Sequence, residues 1–101
     1  MLFAFILIDK PDSAALRAAV RPAHKACLAA VADRIAFAGP FVHDDGSTML
    51  GSLLVIDFAS RDAAHAWLAG EPFTQAGLYA STSVQAFVNL WPQRAGFPPQ
   101  A

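Results

Sequence analysis

Two stretches of the chain are apolar at nearly every position, and the remaining elements are spaced around them. Leu2 to Ile8 runs Leu-Phe-Ala-Phe-Ile-Leu-Ile before Asp9, Pro11 and Asp12 turn the chain, and Leu50 to Phe58 is again almost wholly apolar. Runs of this length bounded by turn residues predict strands, and continuous rather than alternating hydrophobicity predicts strands covered on both faces. Both belong in the middle of a sheet.

After the first strand, Leu16, Val20, Ala23, Cys27 and Val31 recur at helical spacing. They predict a helix capped by Asp12 or Ser13, with this stripe against the sheet. Pro22 disfavours helical geometry at Arg21, so the helix is expected to be interrupted there. His24 follows at once, roughly 60° off the centre of the stripe and so at the margin of the buried face. Arg34 to Phe41 carries a short apolar run closed by Gly39-Pro40, and His43-Asp44-Asp45-Gly46-Ser47 is a hairpin loop.

Beyond the second central strand, Ser60 caps a short helix with Ala63, Ala64, Trp67 and Leu68 on one face and Gly70 at its end. Glu71-Pro72-Phe73-Thr74-Gln75-Ala76-Gly77 predicts one further helical turn, with proline at its first position and Glu71 at its N-terminus. Val84 to Leu90 supplies the last strand. Residues 1–91 then form one domain, and 92–101 form a Pro-rich tail that cannot extend a sheet far. The order strand, helix, strand, strand, helix, strand predicts an α+β, ferredoxin-like βαββαβ fold, a four-stranded antiparallel sheet with two helices on one face.

Composition adds a partner to this picture. The chain has 101 residues, 55% of them hydrophobic and 15% charged, against roughly 25% charged in ordinary soluble domains. A domain of this size hides only about 60–65% of its unfolded surface, and the sheet face away from the helices would be left bare. A homodimer joined through that sheet face is expected, since burying even ~500 Å² per subunit contributes on the order of 12 kcal/mol of gross transfer free energy. The formal net charge is −1 and the seven Lys and Arg are scattered, which argues against nucleic acid. The apolar start is too short to span a bilayer, so no membrane partner is expected. A single cysteine, Cys27, fits a reducing compartment, and the cytoplasm is the expected location.

Chemistry concentrates at Arg21-Pro22-Ala23-His24. Histidine is the side chain that exchanges protons near neutral pH, so His24 is a candidate general acid or base; it is also read as an imidazole satisfied at a helix margin. Glu71 is a candidate carboxylate partner or a solvated anion beside a helix N-terminus. Arg21 suits a substrate carboxylate or faces water. Ser52 and Tyr79 could offer hydroxyls and Phe73 an apolar wall to a small-molecule ligand, with Tyr79 also read as a cap on the core edge. His43 and His65 read as surface residues and Cys27 as core. No His, Cys, Asp or Glu pair has metal-site spacing, and no glycine-rich loop cradles phosphate.

Several of these pieces together resemble the YciI-like (YCII-related) proteins, of the dimeric α/β-barrel group of ferredoxin-like folds. They are Arg21-Pro22-Ala23-His24, Ala38-Gly39-Pro40, Gly51-Ser52, Ala63-Ala64-His65-Ala66-Trp67, Glu71-Pro72-Phe73 and Ala76-Gly77-Leu78-Tyr79. The resemblance implies an active-site pair of His24 with the carboxylate at position 71, where this chain carries Glu in place of the family's Asp. It implies relatives among muconolactone isomerase and the dehydrochlorinases of chlorinated hydroxyhydroquinones, which work without metal or organic cofactor. The expectation is a small cofactor-independent enzyme of lyase, isomerase or dehalogenase type, with His24 acting on a cyclic phenolic or enolic substrate. The alternative is a non-catalytic dimer that binds a small molecule.

Overall fold

The structure, a computed structural model, describes residues 1–91. The elements run β1 (Leu2–Asp9), α1 (Ala14–Ala29), a 3-10 turn (Ala32–Arg34), β2 (Ile35–Val42), β3 (Met49–Asp57), α2 (Arg61–Gly70), α3 (Pro72–Gln75) and β4 (Tyr79–Phe87). They form one antiparallel sheet in the order β2-β3-β1-β4, the ferredoxin-like arrangement. The two apolar runs are the two central strands, as their patterning requires. The Pro-rich tail, 92–101, lies outside the described residues. No helix among the described residues is long and apolar enough to cross a membrane.

Strand alternation divides the sheet into two faces. Phe3, Phe5 and Leu7 of β1 join Leu54 and Ile56 of β3, Val84 of β4 and Phe58 in the core beneath α2, whose Ala64 and Leu68 complete it. Trp67 anchors α2 by packing edge-on against Phe5, ring centroids 5.5 Å apart, and against Phe58 at 5.8 Å. The Ser60 side chain caps α2 by accepting from the Ala63 amide at 3.1 Å. On the opposite face Leu2, Ile6 and Ile8 of β1 lie beside Leu53 of β3, and no element among the described residues covers them.

The local expectations need four corrections. Helix α1 runs unbroken through Pro22; a proline removes one amide donor and crowds one turn, and the rest of a sixteen-residue helix carries it. Its N-terminus has Ser13 at the cap position but no side-chain cap bond. The buried residues of α1 are Arg17 and His24, whereas Leu16 is 38% exposed and Ala23 is exposed. At ~100° per residue Arg17, His24 and Leu28 fall within roughly 40° of one another, so the sheet-facing side is centred on them. Strand β4 starts at Tyr79 and ends at Phe87, not at Val84 and Leu90. It is an edge strand whose first half, Ala80-Ser81-Thr82-Ser83, is polar or small and pairs with β1 through the backbone.

Candidate active site

The C-terminal end of β1, the sheet-facing side of α1 and the turn α3 converge on one cluster of polar side chains. Glu71 is its centre. It closes α2 and caps α3, accepting from the amides of Phe73 and Thr74, each at 3.1 Å, with Pro72 preset at the first helical position. Gly77, at φ +73°, ends the turn, and Leu78 then bonds back to Phe73 and onward to Lys10, which fixes α3 to the end of β1. The Glu71 side chain is wholly buried.

His24 Nδ1 bonds to Glu71 Oε1. The other carboxylate oxygen accepts from Thr74 Oγ1 at 3.2 Å and from the Tyr79 hydroxyl at 3.3 Å. Burial alone would push the Glu71 carboxyl up, but the His24 bond, the Phe73 and Thr74 amides and the attraction of the imidazole ring together hold it below the usual carboxylate range. Burial, reinforced by the neighbouring carboxylate, raises the Tyr79 hydroxyl far above the ordinary phenol range. Tyr79 therefore stays protonated and donates.

An ionised Glu71 is an acceptor only, which makes His24 Nδ1 the donor and leaves Nε2 as the ring nitrogen free to exchange a proton. Nε2 has no partner among the described residues yet is not sealed from solvent, and His24 forms part of a cavity of about 190 Å³ with Arg17, Arg21, Leu28, Pro40 and Ser52. A larger groove of about 720 Å³ shares Arg17, Arg21 and Lys25 with it and continues to Thr48 and Met49 beside the β2–β3 loop. The imidazole is 5% exposed and stacks on Phe73, ring centroids 4.1 Å apart at 23°.

The expected residues therefore occupy different roles in space. His24, Glu71 and Ser52 are buried together, and Arg21 stands exposed at the cavity rim. Phe73 is not a wall of either cavity; it is wholly buried, with His24 stacked on its ring and the Arg17 guanidinium 4.6 Å from its centroid. Tyr79 likewise does not face the cavities, because Glu71 takes its hydroxyl. His43 and His65 are exposed and Cys27 is half-buried, where burial, and then the Glu71 charge, raise its thiol. Among the described residues no group of three or more His, Cys, Asp or Glu could hold a metal ion.

Two residues were given no ligand role from the sequence. Arg17, 5% exposed, pairs with Asp9 through Nε at 2.6 Å and Nη2 at 2.9 Å, and Nη2 also donates to Ser52 Oγ at 3.1 Å. The signal was available. Asp9 continues the inward alternation of Phe3, Phe5 and Leu7, so its carboxylate enters the covered side and needs a cation, and Arg17 stands seven residues before His24, on the same helix face.

A ferredoxin-like α+β domain with a buried histidine–carboxylate pair opening onto a cavity is a recognisable class of protein. Residues 1–88 match the YCII-related domain, and the chain belongs to that family. It is 38% identical to the protein YciI of Escherichia coli and to that of Shigella flexneri, over 90% of this chain and 100% of theirs. An uncharacterised Haemophilus influenzae protein is 31% identical over the same spans. Among solved structures, the 5-chloro-2-hydroxyhydroquinone dehydrochlorinase of Burkholderia phenoliruptrix in complex with 2,5-dihydroxybenzoquinone superposes with a TM-score of 0.82 at 34% identity, covering 87% of this chain and 94% of that one.

Proposed function

We propose that this chain is a cofactor-independent enzyme of lyase, isomerase or dehalogenase type, in which His24 moves a proton on a small cyclic phenolic or enolic substrate held in the cavity beside it. One observation carries the reading: Nδ1 of His24 is engaged by the buried Glu71 carboxylate, while the ring lines the cavity and its Nε2 has no partner among the described residues. The carboxylate fixes the tautomer in which Nε2 is basic and stabilises the imidazolium that forms when Nε2 takes a proton. Nε2 removes a proton from the ring, and the electron pair left behind either expels a leaving group such as chloride or is quenched when the same proton returns elsewhere. The likeness to a dehydrochlorinase solved with a dihydroxyquinone supports this substrate class.

The assay is turnover of 5-chloro-2-hydroxyhydroquinone and of unchlorinated analogues. His24→Ala is expected to lower kcat by about 10²–10⁴-fold while leaving the fold and assembly intact. Unchanged turnover in His24→Ala overturns the reading. Binding without turnover, insensitive to His24→Gln, would instead mark a binding module.

Assembly belongs to the same proposal. A second copy covers the open sheet face, where Ile6 is 37% exposed and Leu2, Ile8, Leu53 and Phe87 are half-buried. The support is the mismatch between a face this apolar and the absence of any covering element among the described residues.

A further inference from the structure

Helix α1 carries three cations, Arg17, Arg21 and Lys25, at intervals of four residues, and no acidic residue. At this spacing they form one row along the helix, and like charges so placed repel one another. Arg17 is neutralised by Asp9. Arg21 and Lys25 are exposed and have no carboxylate partner among the described residues. An anion between them relieves the repulsion and gains charged hydrogen bonds from both.

The row borders a space larger than one ring needs. The cavity beside His24, about 190 Å³, is close to the ~150 Å³ that admits a benzene ring. The adjoining groove, about 720 Å³, falls in the range of roughly 300–1,000 Å³ usual for larger ligands. It follows α1 from Ala14 to Lys25, roughly 16 Å at 1.5 Å per residue, and Ala14, Ala18, Pro22 and Met49 give it apolar walls. Arg21 and Lys25 stand where the two spaces meet. At the loop end the Ser47 and Thr48 amides are both taken by Asp45 Oδ1 at 2.9 Å, and the Asp45 carboxyl, lowered to about 2 by these bonds and that of Thr48 Oγ1, holds a negative charge there. An anion is therefore favoured at the Arg21 and Lys25 end, and two cations without a free amide cradle suit a carboxylate better than a phosphate.

We propose that the groove is a subsite for an acidic side chain of the substrate: the ring lies beside His24, a chain of a few atoms follows the apolar walls, and its carboxylate pairs with Arg21 and Lys25. This names the substrate class of the same site and rests on the acid–base reading for where the ring lies; the side-chain subsite rests on the groove and the cation row. Binding energy from a group remote from the reacting carbon then serves to position the ring against His24.

Anaerobic calorimetry at neutral pH compares 3-(2,5-dihydroxyphenyl)propanoate with 3-(2,5-dihydroxyphenyl)propanamide, which differ in charge and hardly in shape. The acid is expected to bind the wild-type chain about tenfold or more tightly, the worth of a charged hydrogen bond. In Arg21→Gln with Lys25→Gln, at two exposed positions, that preference is expected to vanish. Arg34→Gln, which removes an exposed cation outside both cavities, is expected to keep it. Equal binding of acid and amide to the wild-type chain, no binding of the acid, a preference that survives the double replacement, or one lost equally in Arg34→Gln would overturn the proposal. His24→Gln separates the two readings, since it is expected to lose turnover and keep the preference for the acid. A wild-type chain that turns over 5-chloro-2-hydroxyhydroquinone yet binds acid and amide alike would overturn the side-chain subsite and leave the acid–base reading standing.

Discussion

Replacing Glu71 tests the cluster at its most connected point. Its carboxylate accepts from five donors, namely His24 Nδ1, the Phe73 and Thr74 amides, Thr74 Oγ1 and the Tyr79 hydroxyl. Glu71→Ala leaves these donors without their acceptor around a side chain that is itself wholly buried, and stranding such donors costs about 1–3 kcal/mol each, at least ~3 kcal/mol for the set. Against roughly 5–15 kcal/mol of total stability for a domain of this length, that is a large share, and at about 4–8 °C per kcal/mol it lowers Tm by at least ~12 °C. Glu71→Gln keeps the shape and one acceptor oxygen but turns an amide donor toward donors, for about 1–3 kcal/mol. Urea unfolding at pH 7 measures both. A Glu71→Ala variant within ~1 kcal/mol of wild type would refute the reasoning, because no buried, five-fold satisfied carboxylate could be removed so cheaply.

The same residue fixes a pH dependence. The folded state holds the Glu71 carboxyl below its unfolded value, so its stabilisation is fully present above the ordinary glutamate pKa near 4.3 and is lost as pH falls through the lower folded value. Wild type is therefore expected to lose stability more steeply than Glu71→Gln below about pH 4.5; parallel pH profiles would contradict it. Gly51→Ala would place a Cβ 2.3 Å from the Leu7 carbonyl oxygen, a backbone atom of the paired strand, so β1 and β3 must separate. A loss of several °C in Tm is expected, and an unchanged melt would show that the strands are less closely apposed. Ser60→Ala removes the acceptor for the Ala63 amide and is expected to cost about 1 kcal/mol by urea unfolding. Sedimentation equilibrium at micromolar concentration is expected to give twice the mass of one chain, whereas a single-chain mass would leave the open sheet face unexplained.

What could be read from the sequence was set by how locally each feature is encoded. The two central strands were legible because nearly every position in them is apolar. Edge strand β4 was misplaced because Ala80 to Ser83 pair by backbone alone. Glu71-Pro72 announced a helix start, and Glu71 does cap α3, since capping is decided within four residues. The orientation of α1 was not legible. Counting apolar residues placed Ala23 inward, but the face toward the sheet carries Arg17 and His24, polar groups whose burial is offset by Asp9 and Glu71, 8 and 47 residues away. Such pairing is a tertiary fact, and a periodicity argument assigns those side chains to the surface. The extra methylene of Glu at position 71 is accommodated, since the carboxylate both caps α3 and meets His24.

The central claim is that His24 and Glu71 form one acid–base unit whose free nitrogen is Nε2. Long-range ¹H–¹⁵N correlation of the His24 ring at neutral pH reads it directly, with assignment by His24→Gln. The account predicts a strongly deshielded proton on Nδ1 that disappears in Glu71→Gln, together with an Nε2 resonance that moves when 2,5-dihydroxybenzoquinone is added. A ring protonated on Nε2 alone, or an Nδ1 proton unaffected by Glu71→Gln, would contradict it.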